Sequence, residues 1–259
     1  MKAEYKNWVP KGMIAGFGAA TAVFTAAALG TDVLVKAHKL PLTTALTVGA
    51  IGCGAFTAWF TFAHSKFSYD GNRKLSKQIV EGTAEYVSLP DGGIGLDVGC
   101  GSGALTIACA KRNPNATIIG IDRWGKEYAT FSQKLCEDNA KAEGVSNVKF
   151  EKGNAVKLDF PDETFDAVTS NYVYHNITGK NKQQLLRETL RVLKKGGTFA
   201  IHDIMSKSRF GDMQKFVSEL KVEGYEEVKL IDTTNGKFMT KKEAGVMMLS
   251  GSALLVGRK

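Results

Sequence analysis

Leu96-Asp97-Val98-Gly99-Cys100-Gly101-Ser102-Gly103 is the stretch from which the fold of this chain is read. Apolar residues at alternate positions (Ile94, Leu96, Val98), with the acid Asp97 between the last two, lead to three alternating glycines, and Ala104 to Ala110 continue as a helical pattern. The reading is a strand, a tight turn and a helix start. Side chains on the turn would block φ > 0 conformations and hold a ligand off the backbone. A helix start presents unpaired N–H groups and a partial positive charge, so it favours the anionic part of a small molecule, a carboxylate as well as a phosphate.

The glycines alone do not choose the ligand. Gly99, Gly101 and Ala104 also fit the looser dinucleotide pattern G-x-G-x-x-A, which keeps a nicotinamide-dependent oxidoreductase open. A second apolar run, Ile118-Ile119-Gly120-Ile121-Asp122, ends in an acid about twenty residues further on, where a carboxylate can accept both ribose hydroxyls. A third, Glu151-Lys152-Gly153-Asn154-Ala155, follows a short strand and offers an amide for an adenine edge. The fourth, Phe165 to Asn176, runs from a strand into polar and aromatic groups: Asn171, Tyr172, Tyr174, His175 and Asn176. The fifth, Leu193-Lys194-Lys195-Gly196-Gly197-Thr198, reads as a basic helix end with glycines at its C-cap, then a strand through Ile201-His202-Asp203.

Between these signals, strand and helix patterns alternate. Helices are expected at 73–87, 105–111, 126–143, 182–193, 213–223 and 241–248. Strands are expected at 95–98, 117–121, 148–151, 167–172, 198–202, 228–231 and 253–256. Such alternation predicts an α/β domain, a doubly wound and mostly parallel seven-stranded sheet. Ligands of such sheets lie outside the carboxyl ends of the strands, where the glycine stretch falls.

These five signals, in this order over residues 73–203, resemble the class I S-adenosylmethionine-dependent methyltransferases. The resemblance implies a seven-stranded Rossmann-like sheet with an antiparallel last strand and S-adenosylmethionine as cofactor. Carried over by position, Gly99, Gly101 and Gly103 would hold the methionine part, with Asp97 near its ammonium. Asp122 would take the ribose, Asn154 and Ala155 the adenine, and Asn171 would lie beside the sulfonium. Arg123 or Trp124 would cover the adenine face, although Arg123-Trp124-Gly125-Lys126 is bulkier than in many relatives.

Methyl transfer is an in-line displacement, and holding donor and acceptor in line supplies roughly 7–11 kcal/mol. A base is needed only where the acceptor loses a proton. His175, with a near-neutral ordinary pKa and a place after a strand end, is the first catalytic candidate. Tyr172 is the second, ahead of Tyr174, His202 and Asp203, and all five also suit the wall of an acceptor pocket. The four cysteines show no C-x-x-C pair, so neither a metal site nor a disulfide framework is expected.

Ahead of this domain lie two apolar runs, Met13 to Val35 and Leu42 to Ala63, around a turn with Lys36, His38, Lys39 and Pro41. As a helix the first is roughly 35 Å long, enough to cross a bilayer. Gly16 with Ala20, and Ala50 with Gly54, are small pairs that would let the two helices pack closely. The sequence thus predicts a membrane hairpin over residues 1–64 and a catalytic domain over 65–259. Lysines before and after the hairpin outnumber those in its turn, which puts the catalytic domain and both termini on the cytoplasmic side of the cell membrane.

Up to residue 80 there are nine Lys/Arg against three Asp/Glu, about +6 of the overall +8. The folded domain therefore lacks the positive field of a nucleic-acid reader, and no nucleic-acid partner is expected. The expected function is methyl transfer from S-adenosylmethionine to a small lipophilic acceptor: a quinone or phenol, a lipid amine or a thiol. The alternatives are an idle membrane-tethered protein that binds the same cofactor, and the oxidoreductase.

Overall fold

The computed structural model of the chain describes residues 2–34, 40–125 and 130–259. It forms two compact units, Asn7–Ser76 and Lys77–Lys259, the second joined by the N-terminal residues up to Lys6. The sequence put one boundary at 64/65. The first unit runs on past it because its second helix extends to Phe67, and the Ser76 hydroxyl donates to the Phe67 carbonyl.

The first unit pairs helices α1 (Lys11–Leu34) and α2 (Leu40–Phe67). The Phe17 ring lies 5.2 Å from Phe56 and 5.3 Å from Phe60. Gly49 lies under the Phe24 ring, where a Cβ would come within 3.2 Å. Gly54 faces Thr21 and Gly18 faces Thr57, but among the described residues nothing lies within 4 Å of a Cβ built on Gly16. Of the expected small pairs, Gly54 is at the contact and Gly16 is not, because the facing stripe is Phe17, Thr21 and Phe24 at helical spacing. Below the helices, Asn7 Nδ2 donates to the His64 carbonyl and His64 Nδ1 to the Val9 carbonyl, each at 2.8 Å. Lys36 and Lys39, used above for orientation, lie outside the described residues.

The second unit opens with α3 (Leu75–Ala84) and continues β1 (Ile94–Val98), α4 (Ala104–Arg112), β2 (Thr117–Asp122), α5 (Gln133–Ala142), β3 (Val148–Lys152) and β4 (Phe165–Asn171). After it come α6 (Lys182–Arg191), β5 (Leu193–Ile204), α7 (Lys207–Phe210), α8 (Met213–Val222), β6 (Glu226–Asp232), α9 (Lys241–Val246) and β7 (Ser252–Arg258). The sheet order is β3-β2-β1-β4-β5-β7-β6. Strands β1 to β5 are parallel, and β7 runs antiparallel to both β5 and β6. The strand order reverses between β1 and β4, so a crevice opens beyond their carboxyl ends.

Central strands are apolar on both faces because helices cover both. Leu96, Val168, Phe199, Ile201 and Leu255 from the sheet pack with Leu186, Leu190, Phe216 and Leu220 from α6 and α8. Each such side chain contributes about 1.5–3 kcal/mol relative to exposure. The helices start on polar caps: Ser132 for α5, Asn181 for α6 and Asp212 for α8 each accept backbone N–H bonds.

Two expected elements differ. The helix read at 126–143 is α5, which begins only at Gln133 because Ser132 Oγ accepts from Leu135 N and caps it there; residues 126–129 lie outside the described residues. Gly196 and Gly197 do not cap a helix. Helix α6 ends at Arg191, and β5 runs through both glycines with a register shift against β4. Gly196 has φ +77°, and a Cβ on Gly197 would lie 2.9 Å from the Asp166 carbonyl oxygen, so both positions serve an irregular strand pair.

Candidate active site

The glycine turn hangs between β1 and β2. Gly99, Gly101 and Gly103 all have positive φ, at +77°, +57° and +80°. The N–H groups of Gly99 and Cys100 donate to the Ile121 carbonyl at 2.8 and 3.0 Å. Gly101 is held at both ends: its N–H donates to Asp122 Oδ2 at 2.9 Å, and its carbonyl accepts from Trp124 Nε1 at 3.0 Å and Cys136 Sγ at 3.2 Å. Helix α4 starts on Gly103 with no side-chain cap. In its first turn the Thr106 N–H is taken by the Asp97 carboxylate.

A Cβ built on Gly99 would lie 2.3 Å from Val173 Cγ2, so the turn after β1 is pressed against the loop after β4. Among the described residues, one built on Gly101 meets only Phe131, at 3.9 Å. Gly99 is a packing requirement. Among the described residues, Gly101 has room where a Cβ would stand.

Asp122, half-buried, also accepts Trp124 N–H at 2.8 Å through Oδ1. A carboxylate offers about four lone-pair directions, so both oxygens keep capacity for a further donor. Gly153 N–H donates to the Asp122 carbonyl at 2.9 Å, which sets the turn after β3 beside that acid. In this turn Asn154 is exposed and its Oδ1 accepts from its own Val156 N–H at 3.0 Å, while Ala155 packs against the core. Arg123 is exposed.

Asp97 stands at the end of β1, beneath the turn. It is buried, with Oδ2 accepting from Thr106 Oγ1 at 2.6 Å and Oδ1 from Thr169 Oγ1 at 3.0 Å. Both oxygens are engaged inside the fold, so its side chain ties β1 to α4 and β4. Burial pushes its carboxyl up to about 6, against the pull of the two threonine hydroxyls.

Past β4, Tyr172 takes a positive φ of +55°, and Tyr174–Asn176 form one short 3-10 turn. This turn sits on Asp203 at the end of β5. Asp203 Oδ2 accepts the N–H groups of Tyr174 and His175 at 2.8 and 3.2 Å, and Oδ1 accepts His175 Nδ1–H at 2.6 Å. With Nδ1 donating to a carboxylate, neutral His175 carries its lone pair on Nε2. Its side chain is 17% exposed, accessible to a small partner, whereas Asp203 is wholly buried.

The Tyr172 hydroxyl is tied into the fold as a donor. Ser252 Oγ donates to the Leu249 carbonyl, so Tyr172 Oη is the donor in their 2.8 Å bond. Burial raises its phenol well above the ordinary tyrosine range. The Tyr172 ring meets His175 and His202 edge-on, at 5.9 and 4.7 Å between centroids. His202 is buried between Asn171 Oδ1 and Thr233 Oγ1, both at 2.9 Å, and burial holds its imidazole down to about 3. It is therefore neutral and internal. Tyr174 is also core, its hydroxyl 2.6 Å from Thr189 Oγ1.

Residues 90–246, more than half of the chain, match a family described as a methyltransferase domain. The chain belongs to the class I S-adenosylmethionine-dependent methyltransferases.

A demethylmenaquinone methyltransferase of Geobacillus stearothermophilus is 30% identical to this methyltransferase over 202 residues, 74% of this chain and 82% of the relative. Two solved structures share the fold. A geranyl diphosphate methyltransferase in complex with GPP and sinefungin has a TM-score of 0.56 and 13% identity, covering 73% of this chain and 80% of that one. The [4+2]-cyclase SpnF has a TM-score of 0.54 and 21% identity, covering 71% and 81%. The cyclase among these neighbours is a reminder that this fold is a scaffold and that the acceptor chemistry lives in side chains.

The glycine turn fits the cofactor of this family. A helix start whose Gly103 brings no side-chain cap, a Gly101 without a Cβ and a half-buried carboxylate at Asp122 are complementary to a ligand with both an anionic end and hydroxyl donors. Several contributors were not legible as such. Trp124 holds the turn through its indole N–H, Asp203 orients His175, Ser252 fixes Tyr172 and Asn139 reaches the Ser102 carbonyl. Only the bulk of Arg123-Trp124 and the acid after His202 gave a signal in the sequence.

Proposed function

We propose that this methyltransferase is held in a membrane by its helical hairpin and methylates a small lipophilic acceptor of the quinone or phenol type, one that gives up a proton as it gains the methyl. The observation that carries the reading is the His175–Asp203 pair: Asp203 binds Nδ1–H and leaves Nε2 with a lone pair on a partly accessible ring. Such a pair suits removal of a phenolic proton, with the buried carboxylate stabilising the imidazolium that results. The named substrate class of the Geobacillus relative, a demethylmenaquinone, agrees with it.

In this reading S-adenosylmethionine, when bound, supplies an electrophilic methyl carbon on a sulfonium. Gly99, Gly101 and Gly103 with the start of α4 hold the methionine end. Asp122 takes the ribose, Arg123, Asn154 and Ala155 border the adenine, and Asn171 lies toward the sulfonium. Asp97 acts from inside the fold. Tyr172 forms a wall that keeps the acceptor next to His175, and water away from it.

The hairpin supports the membrane. Lys11–Thr31 and Pro41–Phe67 are long and apolar enough to cross a bilayer, and in each only 6% of the most apolar window is buried, unlike a core helix of a soluble protein. Their threonines are satisfied within the helix: Thr25, Thr47 and Thr61 hydroxyls each donate to the carbonyl four residues back at 2.8 Å. Exposed polar groups without water require this kind of internal pairing. The catalytic unit and both termini then face the cytoplasm.

The test is untargeted. The full-length protein, labelled S-adenosylmethionine and a lipid extract of host membranes are incubated, and the labelled product is identified. A C- or O-methylated quinol or phenol supports the proposal. A labelled lipid amine or thiol as the sole product would overturn the acceptor class.

A further inference from the structure

We propose that the short segment ahead of the hairpin, residues 2–6, is a working part of the cofactor site, and that Asn139 is the positioning residue through which it sets the glycine turn. This rests on the reading that the turn holds S-adenosylmethionine. Asn139 lies on α5, 2% exposed, with every hydrogen-bonding direction of its carboxamide but one oxygen lone pair in use. Its Oδ1 accepts Glu4 N–H at 2.7 Å, and Nδ2 donates to the Glu4 carbonyl at 3.2 Å and to the Ser102 carbonyl at 3.0 Å. It grips the backbone of residue 4 on one side and the glycine turn on the other. Tyr5, next in the strap, is buried.

Asn139 does not act alone on the turn. Cys136, one helical turn earlier on the same face of α5, donates to the Gly101 carbonyl at 3.2 Å. Together the two side chains draw the carbonyls of Gly101 and Ser102 toward α5. A trans peptide carries its N–H opposite its C=O. Holding the Gly101 carbonyl to α5 therefore aims the Ser102 N–H away from α5. The Gly103 N–H is meanwhile tied to the Cys100 carbonyl at 2.8 Å. The turn's donor pattern is thus fixed from behind.

Without the strap, Asn139 would lose two of its three partners, its oxygen would be left without a donor in a buried place, and the carboxamide could turn away from Ser102. The chain leaves the catalytic unit at Lys6 and re-enters it at Lys77, so along the sequence the hairpin comes between the strap and the rest of this unit. A soluble form beginning after the hairpin lacks a piece of its cofactor site.

The recognition is of backbone, which gives a sharp test on the full-length protein in detergent. Glu4→Pro removes the N–H that Asn139 accepts, whereas Glu4→Ala keeps it and removes only the exposed side chain and its ion pair with Lys6. The expected result is that Glu4→Pro and Asn139→Leu each weaken S-adenosylmethionine binding in titration calorimetry roughly three- to tenfold more than Glu4→Ala, the worth of one hydrogen bond. KM for S-adenosylmethionine should rise with kcat nearly unchanged, and amide exchange should quicken at residues 99–105. Equal binding by Glu4→Pro and Glu4→Ala, or a folded Asn139→Leu that binds as the parent does, overturns the strap. A lowered melting temperature with unchanged affinity also overturns it. Unaltered binding by Gly101→Ala would instead sink the underlying assignment of the turn.

Discussion

Adding one methyl group at Gly99 or at Gly101 should separate what the turn does for the fold from what it does for the ligand. Both residues have positive φ, +77° and +57°, so alanine at either pays a left-handed backbone cost of roughly 1–2 kcal/mol. At Gly99 the new Cβ falls 2.3 Å from Val173 Cγ2 and 2.7 Å from Cγ1, which adds an overpacking term of about 1–3 kcal/mol. At Gly101 the nearest atom among the described residues is 3.9 Å away, which adds no such term. Gly99→Ala is thus expected to lose about 2–5 kcal/mol of stability, and Gly101→Ala about 1–2. Chemical melts in detergent measure both. Val173→Ala in the Gly99→Ala background should return most of the overpacking part and none of the backbone part. In calorimetry, Gly101→Ala should lose S-adenosylmethionine binding at least tenfold while remaining folded, because its methyl lies on the bare side of the turn. If it binds as the parent does, the ligand does not lie there and the reasoning is refuted.

His202 governs acid stability: its folded pKa is held to about 3 against an ordinary 6.5, so the unfolded chain takes the proton first. Its contribution is complete above pH 6.5 and is lost as pH falls toward 3, amounting to about 2 kcal/mol by pH 5. Melts at pH 7.5 and 5 should show the parent losing about that much more than His202→Asn, and equal losses would contradict a buried neutral imidazole. For catalysis, His175→Asn should lower kcat by roughly 10²–10⁴ with cofactor affinity preserved, and Asp203→Asn should lower it by less. Single-turnover assays decide this, and a His175→Asn enzyme with parental kcat would remove the base. As for the hairpin, the full-length protein should stay in the membrane fraction after a carbonate wash, and a chain starting at Ser65 should be released. Recovery of the full-length protein in the soluble fraction would count against membrane insertion.

The parts legible in the sequence were those written in short-range pattern. Apolar runs ending in Asp97 and Asp122, alternating glycines and a helix behind them specify strand, turn and helix locally, and repeated alternation implies parallel strands. Val98, Gly99 to Gly103 and Asp122 came together as that pattern required. Where pattern and structure parted, a long-range packing constraint had intervened. Gly196-Gly197 looks like a helix cap but lies beside Asp166 and Lys259, which turn it into an irregular strand.

Fold class, the glycine turn and two spans of membrane-crossing length were all readable along the chain, since each rests on short-range patterns, a single run for the turn and each span and their alternation for the fold. Tertiary structure alone decided which groups are free to act. Of the two histidines near the strand ends, Asp203 orients His175, 28 residues away, while Asn171 and Thr233, 31 residues to either side, enclose His202. Asp97 was drawn inward by Thr106 and Thr169, and Asn139 found its partner 135 residues away at Glu4. Strand order and helix packing set such pairings, and a hydrogen-bond partner across a sheet leaves no periodicity in the sequence from which it could be read.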